Sequence, residues 1–255
     1  MSIHPTAIIA PSANVGKDIS VGPFTIIGPH TVIGDHCIIG PHVQIESNTV
    51  IGHEARIYKG ACLGILPQDA RFAGRNDTSL IIGDRAVLRE YCTISRGSEN
   101  DTLIGNDFIL MSYGHVSHDC VIGNQVVLSH SVIVMGHVSI GDRALIGSLT
   151  FINRHVRIGE LSFIGGGFRV VKDVPPFVMA GDEPLQITGI NRVALEKNGI
   201  PDSETDKLSK IYQMLRQQQE DLPSATNAIR SLFSDSECAD KVMMFLESSE
   251  KGVVL

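Results

Sequence analysis

VGPFTIIGPHTVIGDHCIIG, residues 21–40, repeats itself every six residues. Val21, Ile27, Ile33 and Ile39 fall in step, each followed by glycine: Gly22, Gly28, Gly34 and Gly40. Two places before these aliphatics stand small side chains such as Thr25, Thr31 and Cys37. Extended backwards, the step reaches Val15, Ile9 and Ile3; extended forwards, it reaches Ile45, Ile51, Ile57 and Leu63. It returns at Ile82, Leu88 and Ile94, and runs again from Ile104 through Leu110, Val116, Ile122, Leu128 and Val134 to Val170. A step of six is neither helical nor a simple strand alternation. It describes a short strand and a turn, repeated, with one aliphatic per strand pointing into a shared core. The glycine after that aliphatic predicts a tight turn with positive φ.

Three such units close one triangular coil, and stacked coils bury a continuous core. The pattern resembles the hexapeptide repeat of left-handed parallel β-helices, and that resemblance implies the hand. Two stretches break the phase, 65–79 and 97–102, and are expected as loops ejected from the prism. Loops carried on a solenoid are common functional elements. After Val170 an extended exit segment, KDVPPFVMAGDEPLQITGIN, carries paired prolines and no phase. Helical patterns follow. Asn191 stands as an N-cap and Gly199 as a C′ stop around the first. Leu208, Ile211 and Leu215 recur at helical intervals in the second, and PSATNAIRSLFS and DSECADKVMMFLESSEKG supply two more. The expected organisation is a mainly β chain, with a β-helix and its exit over 1–190 and a small α-helical domain over 191–255.

Composition agrees. Tryptophan is absent, aromatics are 5%, and there are 25 glycines, which suits a repeat of small and aliphatic side chains. A net charge of −7 argues against a general nucleic-acid or anionic-membrane surface. The five cysteines form no CxxC pair and are odd in number, so neither a disulfide framework nor a cysteine-rich zinc site is expected. No signal peptide or apolar run of membrane-spanning length is present, which predicts a soluble cytoplasmic protein without membrane insertion.

Against this frame the segment HVSHDCVIGN, residues 115–124, stands out. One coil onwards from His118 lies Gly136, then Arg154; one coil onwards from Asp119 lies His137, then His155. Coils stack about 4.8 Å apart, so these residues form a polar ladder on one edge, flanked by His115. A solvated edge is one reading; His30, His36, His42 and His53 fit it. A metal site needs histidines converging from three points, as between subunits of the gamma-class carbonic anhydrases. The His-x-x-His spacing and the helical tail fit that poorly. The third reading is acid–base catalysis: His118 as base, Asp119 orienting it, and Gly136 letting a reacting carbonyl approach the backbone. Cys120 falls at an inward small position and is expected in the core rather than as a nucleophile.

At these residues the chain resembles the UDP-N-acetylglucosamine O-acyltransferases, which begin lipid A synthesis. The likeness spans nearly the whole length: HPTAII, PQDARFAG, IGDRAVLREYCTISRG, HVSHDCVIGN, MGHVSIGD, KDVPPFVMAG and the tail opening at GIN. It implies a homotrimer with clefts between subunits. It also implies transfer of a 3-hydroxyacyl group from acyl carrier protein to the sugar 3-hydroxyl of a UDP-sugar, with no cofactor and no metal. Carried over, His118 is the general base, Asp119 the acid beside it, and Gly136 the backbone donor to the oxyanion. His115, His137, Gln68, Asp69, Arg71, Arg154, Asn191 and Lys197 become substrate contacts, and Gly166 the position that limits acyl length.

Departures from the family are also visible. Asn153 stands where the family has histidine, Arg154 for glutamine, Arg71 for lysine and Ser95 for histidine. In the tail Val193 replaces glutamate and Lys197-Asn198 an arginine pair. These leave open a different nucleotide sugar, including an amine acceptor or an acetyl-CoA donor, and a trimeric scaffold without activity. Acyl carrier protein is acidic, so a local basic patch is expected; Arg154, Arg157, Arg169 and Lys172 lie close in sequence and are the candidates.

Overall fold

The computed structural model describes residues 2–69, 74, 77–218 and 221–255. Strands of mostly two residues wind into a three-sided, left-handed parallel β-helix with faces of 11, 9 and 8 strands. Each strand pairs with the one a full coil later: Ile26↔Gln44 and Ile27↔Ile45 on one face, Ser20↔Ile38 on another. The ladder is continuous, as in Ile26 N–H to Val43 O at 2.9 Å and Gly28 N–H to Ile45 O at 2.8 Å.

The six-residue pattern sorts side chains by position. Thr25 and Ile27, Thr31 and Ile33, Cys37 and Ile39 are buried, while the intervening Ile26, Val32 and Ile38 face outwards. Small inward residues next to large aliphatics let three strands converge on a narrow axis.

Except at Gly64, which has φ +72, the turn glycines play a different part from the expected one. Positive φ falls on the residue two places after the glycine: Asp18, Phe24, His30, His36 and His42 have φ between 52° and 61°. The glycine itself is needed because coils touch there. A Cβ on Gly22 would lie 2.7 Å from the carbonyl carbon of Gly40. Left-handed corners occupied by Asp, Asn and His accord with their tolerance of this region.

Two longer segments separate successive strands. One lies between the strands Cys62–Ile65 and Leu80–Ile82, the other between Thr93–Ser95 and Thr102–Ile104. Both leave the edge where the nine-stranded face turns into the eight-stranded face. Beyond a bulge between Leu63 and Ile65, where the longer loop departs, pairing resumes in register, Arg56↔Val87 and then Val87↔Ile109.

At the far end an antiparallel pair, Val178–Gly181 with Gln186–Ile190, closes the eleven-stranded face. Four helices follow: α1 (Arg192–Lys197), α2 (Asp202–Gln217), α3 (Leu222–Leu232) and α4 (Glu237–Glu247). Asn191 caps α1 by accepting from Ala194 N–H, and Gly199 has φ +73. Leu208, Ile211, Leu215, Ile229, Val242 and Met243 are fully buried among the helices. Tyr212 Oη donates to Pro176 O at 2.6 Å and Lys241 pairs with Glu160 at 2.6 Å, which docks the helices on the coil.

Candidate functional site

The edge that ejects both loops is the edge that carries His118. The strand His115–Val116 lies on the nine-stranded face and Val121–Ile122 on the eight-stranded face, so residues 117–120 turn the corner. Gly136 and His137 turn it one coil later, followed by Arg154 and His155. His137 N–H donates to His118 O at 3.0 Å, and His155 N–H to Gly136 O at 3.2 Å. The predicted ladder is present.

His118 is 4% exposed. Its Nδ1 lies 2.6 Å from Asp119 Oδ2. Because a carboxylate only accepts, Nδ1 carries the proton, which makes Nε2 the nitrogen that bears the lone pair whenever the ring is neutral. That Nε2 faces Asp69 Oδ2 at 3.9 Å. Asp69 reaches the corner from the longer loop, where Arg154 Nη2 donates to the same carboxylate oxygen at 3.0 Å. Gln68 beside it is exposed, and Arg71 lies outside the described residues.

The second loop supplies what the sequence did not disclose. Asp119 Oδ1 accepts from the N–H groups of Glu99 at 2.9 Å and Asn100 at 2.7 Å. Ser98 N–H approaches both carboxylate oxygens at 3.2 Å, and Ser98 Oγ donates to Oδ2 at 2.6 Å. This is a nest of consecutive amides around an anion. Gly97 permits it, since a Cβ there would strike Asn100 O. Burial alone pushes the Asp119 carboxyl up. The bonds from Ser98, Asn100, His118 and Glu99 together outweigh it and hold the group well below the usual carboxylate range.

The Gly136 N–H is among the donors this corner leaves over. At the equivalent position on the next edge of the prism, several turn N–H groups are capped by a side chain one coil on. Asp35 Oδ1 caps Lys17 N–H at 2.7 Å, and Asn124 Oδ1 caps Asn106 N–H at 2.9 Å. The residue one coil beyond Gly136 is Arg154, which offers no acceptor. Among the described residues none takes up the Gly136 N–H. The glycine is also where the imidazole lies: a Cβ on it would sit 2.7 Å from His118 Cε1 and 2.8 Å from Nε2.

The neighbouring imidazoles complete the edge. His137 meets His118 edge to face at 5.2 Å between ring centroids and stacks on His155 at 4.6 Å. His115 Nδ1 lies 2.7 Å from Thr93 Oγ1. Burial, then the nearby His118, pushes its pKa down. His118, Asp119 and His137 place ligand-type atoms within 4.8 Å of one another. The chemistry of that set fits a metal badly, because both Asp119 oxygens are already filled by donors and the His118 Nδ1 lone pair is used by its proton. Cys120 is buried at 0% with Sγ 3.2 Å from Met135 O, and burial pushes its thiol up to about 12. A thiol so placed is core, not nucleophile.

Three of the expected contacts lie away from this corner, two of them on other edges. Asn191 donates from Nδ2 to Leu161 O at 2.8 Å, at the turn between the eight- and eleven-stranded faces. Lys197 is exposed at the end of α1. Gly166 is exposed between the eleven- and nine-stranded faces.

The corner therefore offers a base with an open nitrogen, a pinned carboxylate facing it and an uncapped amide donor. That set is suited to acyl transfer onto a hydroxyl or amine. Comparisons with known proteins agree. Residues 173–254 match the family described as "Udp N-acetylglucosamine O-acyltransferase; Domain 2", and residues 30–64 match the bacterial transferase hexapeptide repeat. The acyl-[acyl-carrier-protein]--UDP-N-acetylglucosamine O-acyltransferase of Verminephrobacter eiseniae is 39% identical over 99% of both chains. The protein of the same name from Chlorobaculum parvum is 49% identical over 79% of this chain and 77% of its own. The crystal structure of the UDP-N-acetylglucosamine O-acyltransferase of Moraxella catarrhalis superposes with a TM-score of 0.95, at 34% identity and 100% coverage of both chains. With coil, tail and end-to-end similarity in agreement, this chain belongs to the UDP-N-acetylglucosamine O-acyltransferase family.

Proposed function

We propose that the chain transfers a 3-hydroxyacyl group from acyl carrier protein to the 3-hydroxyl of UDP-N-acetylglucosamine, the first step of lipid A synthesis. The observation that carries this reading is the orientation of His118: Nδ1 is locked on Asp119 and Nε2 is open beside Asp69. Nε2 takes the proton of the sugar hydroxyl as its oxygen attacks the thioester carbonyl. The oxyanion that forms accepts from Gly136 N–H. Collapse re-forms the carbonyl and expels the carrier thiolate, which recovers the proton from His118. The base contributes ~10²–10⁴ in rate and one oxyanion donor ~10²–10³; positioning supplies the remainder. The test is an assay of purified protein with a series of acyl carrier protein thioesters and a panel of UDP-sugars. Turnover of 3-hydroxyacyl donors on UDP-N-acetylglucosamine is expected. Exclusive transfer to an amino sugar, or from acetyl-CoA, would replace this reading.

Asn191 and Gly166 occupy other edges of the prism than His118, so they would reach a site at His118 from another copy of the chain. This supports a C3 homotrimer with clefts between protomers. Light scattering at micromolar concentration is expected to give three times the chain mass; a monomer would refute the shared cleft. On this reading Gly166 leaves room for a long acyl chain.

The basic surface for acyl carrier protein is narrower than the four-residue patch read from sequence. Arg154 is held by Asp69, and Arg157 donates to Ser248 O at 2.8 Å while stacking on Phe245. Arg169 and Lys172 remain exposed, and both line a cavity of about 610 Å³ against the C-terminal segment. Among the described residues no helix is long and apolar enough to cross a membrane. All five cysteines are free thiols, which supports a place in the reducing cytoplasm.

A further inference from the structure

We propose that Ser98 is a positioning residue that sets the basicity of His118 by sharing the carboxylate oxygen on which the imidazole is held. This rests on the general-base reading above. Three atoms form a closed triangle in a buried pocket: His118 Nδ1 to Asp119 Oδ2 at 2.6 Å, Ser98 Oγ to Asp119 Oδ2 at 2.6 Å, and Ser98 Oγ to His118 Nδ1 at 3.1 Å. Ser98 is 9% exposed. A hydroxyl has one proton, and the short contact gives it to Oδ2.

The consequence is electrostatic. Oδ2 is the oxygen that pulls on the Nδ1 proton, and that pull stabilises the imidazolium. A second donor on the same oxygen withdraws part of its negative charge; at 2.6 Å this outweighs the longer, 3.1 Å acceptance of the Nδ1 proton by Ser98 Oγ, so the imidazolium is favoured less and Nε2 stays unprotonated to lower pH. The amides of Glu99 and Asn100 act on the other oxygen, Oδ1. They fix the carboxylate in place, while Ser98 Oγ adjusts the atom that touches the base. The division of labour is legible from which oxygen each donor meets.

Other groups facing His118 would be unchanged by removing this hydroxyl. They are His115 on its own strand, His137 one coil on, Asp69 from the longer loop with Arg154 behind it, and Asp119 itself. Ser98→Ala keeps the backbone N–H, so the nest around Oδ1 is retained.

The sign follows. His118 must be neutral to accept a proton, so kcat/KM rises through the imidazole pKa. Losing the Ser98 hydroxyl strengthens the Oδ2 pull, raises that pKa and moves the acid limb of kcat/KM to higher pH. A shift of about half to one unit is expected, a fraction of the roughly one to two units that a hydrogen bond made directly to a charged group is worth, because the hydroxyl acts on the imidazole through the carboxylate. Ser98→Thr, which keeps the hydroxyl, is expected to return the limb towards its original place. The same shift is expected in the His118 imidazole resonances titrated by NMR in the full-length protein. If Ser98→Ala lowers the rate at every pH while limb and resonances stay in place, Ser98 only shapes the loop and the proposal is wrong. A downward shift overturns it as well. A wild-type protein inactive on every donor and acceptor would remove the acyl-transfer reading instead, and the NMR titration would still decide the role of Ser98.

Discussion

Replacing His118 with alanine is expected to lower kcat by ~10²–10⁴ and to change KM little. Among the described residues at the corner, the imidazole is the one group with a nitrogen facing Asp69 and an orienting carboxylate behind it. Its neighbours cannot take over. Nε2 of His137 lies 3.7 Å from Asp119 Oδ2, too long for a hydrogen bond that would fix its tautomer. His115 faces Thr93. The coil should survive, because Val116 and Ile122 supply the core on either side of the turn. Steady-state kinetics and light scattering on the same preparation check both halves. Exhaustive chelation of the wild-type protein is expected to leave its rate unchanged. Loss of activity on chelation, restored by zinc, would convert His118 into a metal ligand; full activity of the alanine variant would make the corner decoration.

Gly136→Ala is expected to cost at least ~10² in kcat, a loss of the size produced by an ångström-scale misplacement of a catalytic group. A methyl group there would lie 2.7 Å from His118 Cε1 and 2.8 Å from Nε2. The backbone cannot retreat, since the His137 and His155 amides tie adjacent coils together at this turn. The imidazole cannot slide either, because Nδ1 is held on a carboxylate that is itself held by the Ser98–Asn100 amides. It must tilt, and Nε2 moves from its place opposite Asp69. Global stability should fall modestly, so a melting curve distinguishes a displaced base from an unfolded protein. An alanine variant with wild-type kcat would show that the ring has room to move and that its position at this glycine does not matter.

The coil was legible because the core obeys one rule at every strand. Ile27, Ile33 and Ile39 announce it within two turns of sequence, and adding a full coil to His118 leads directly to Gly136 and Arg154. The hand of the coil is not in the spacing; both hands bury the same positions, and family resemblance supplied it. The role of the turn glycines was misread, because contact between successive coils, not backbone sign, selects glycine at Gly22 and its equivalents. The cradle around Asp119 was hidden for a related reason. Ser98, Glu99 and Asn100 act mainly through backbone amides in a loop outside the repeat, and neither periodicity nor residue type reports where such amides point. The basic patch lost Arg154 because its guanidinium finds a carboxylate across the fold, Asp69, that is distant in sequence; Arg157 is tied to the neutral Ser248 and keeps its charge.

Both departures from the repeat occur on one edge, and the coil resumes beyond them in register. Contacts between successive coils that normally span 18 residues span 31 across the longer loop and 22 across the shorter. Closure entropy grows only with the logarithm of length, so stretching an 18-residue step to 31 costs roughly 0.5 kcal/mol. The aliphatic stack on either side is untouched by what happens in between. Selection can therefore lengthen, shorten or exchange the segment carrying Gln68 and Asp69 almost independently of folding stability, so the acceptor preference of such an enzyme can drift while its scaffold stands still.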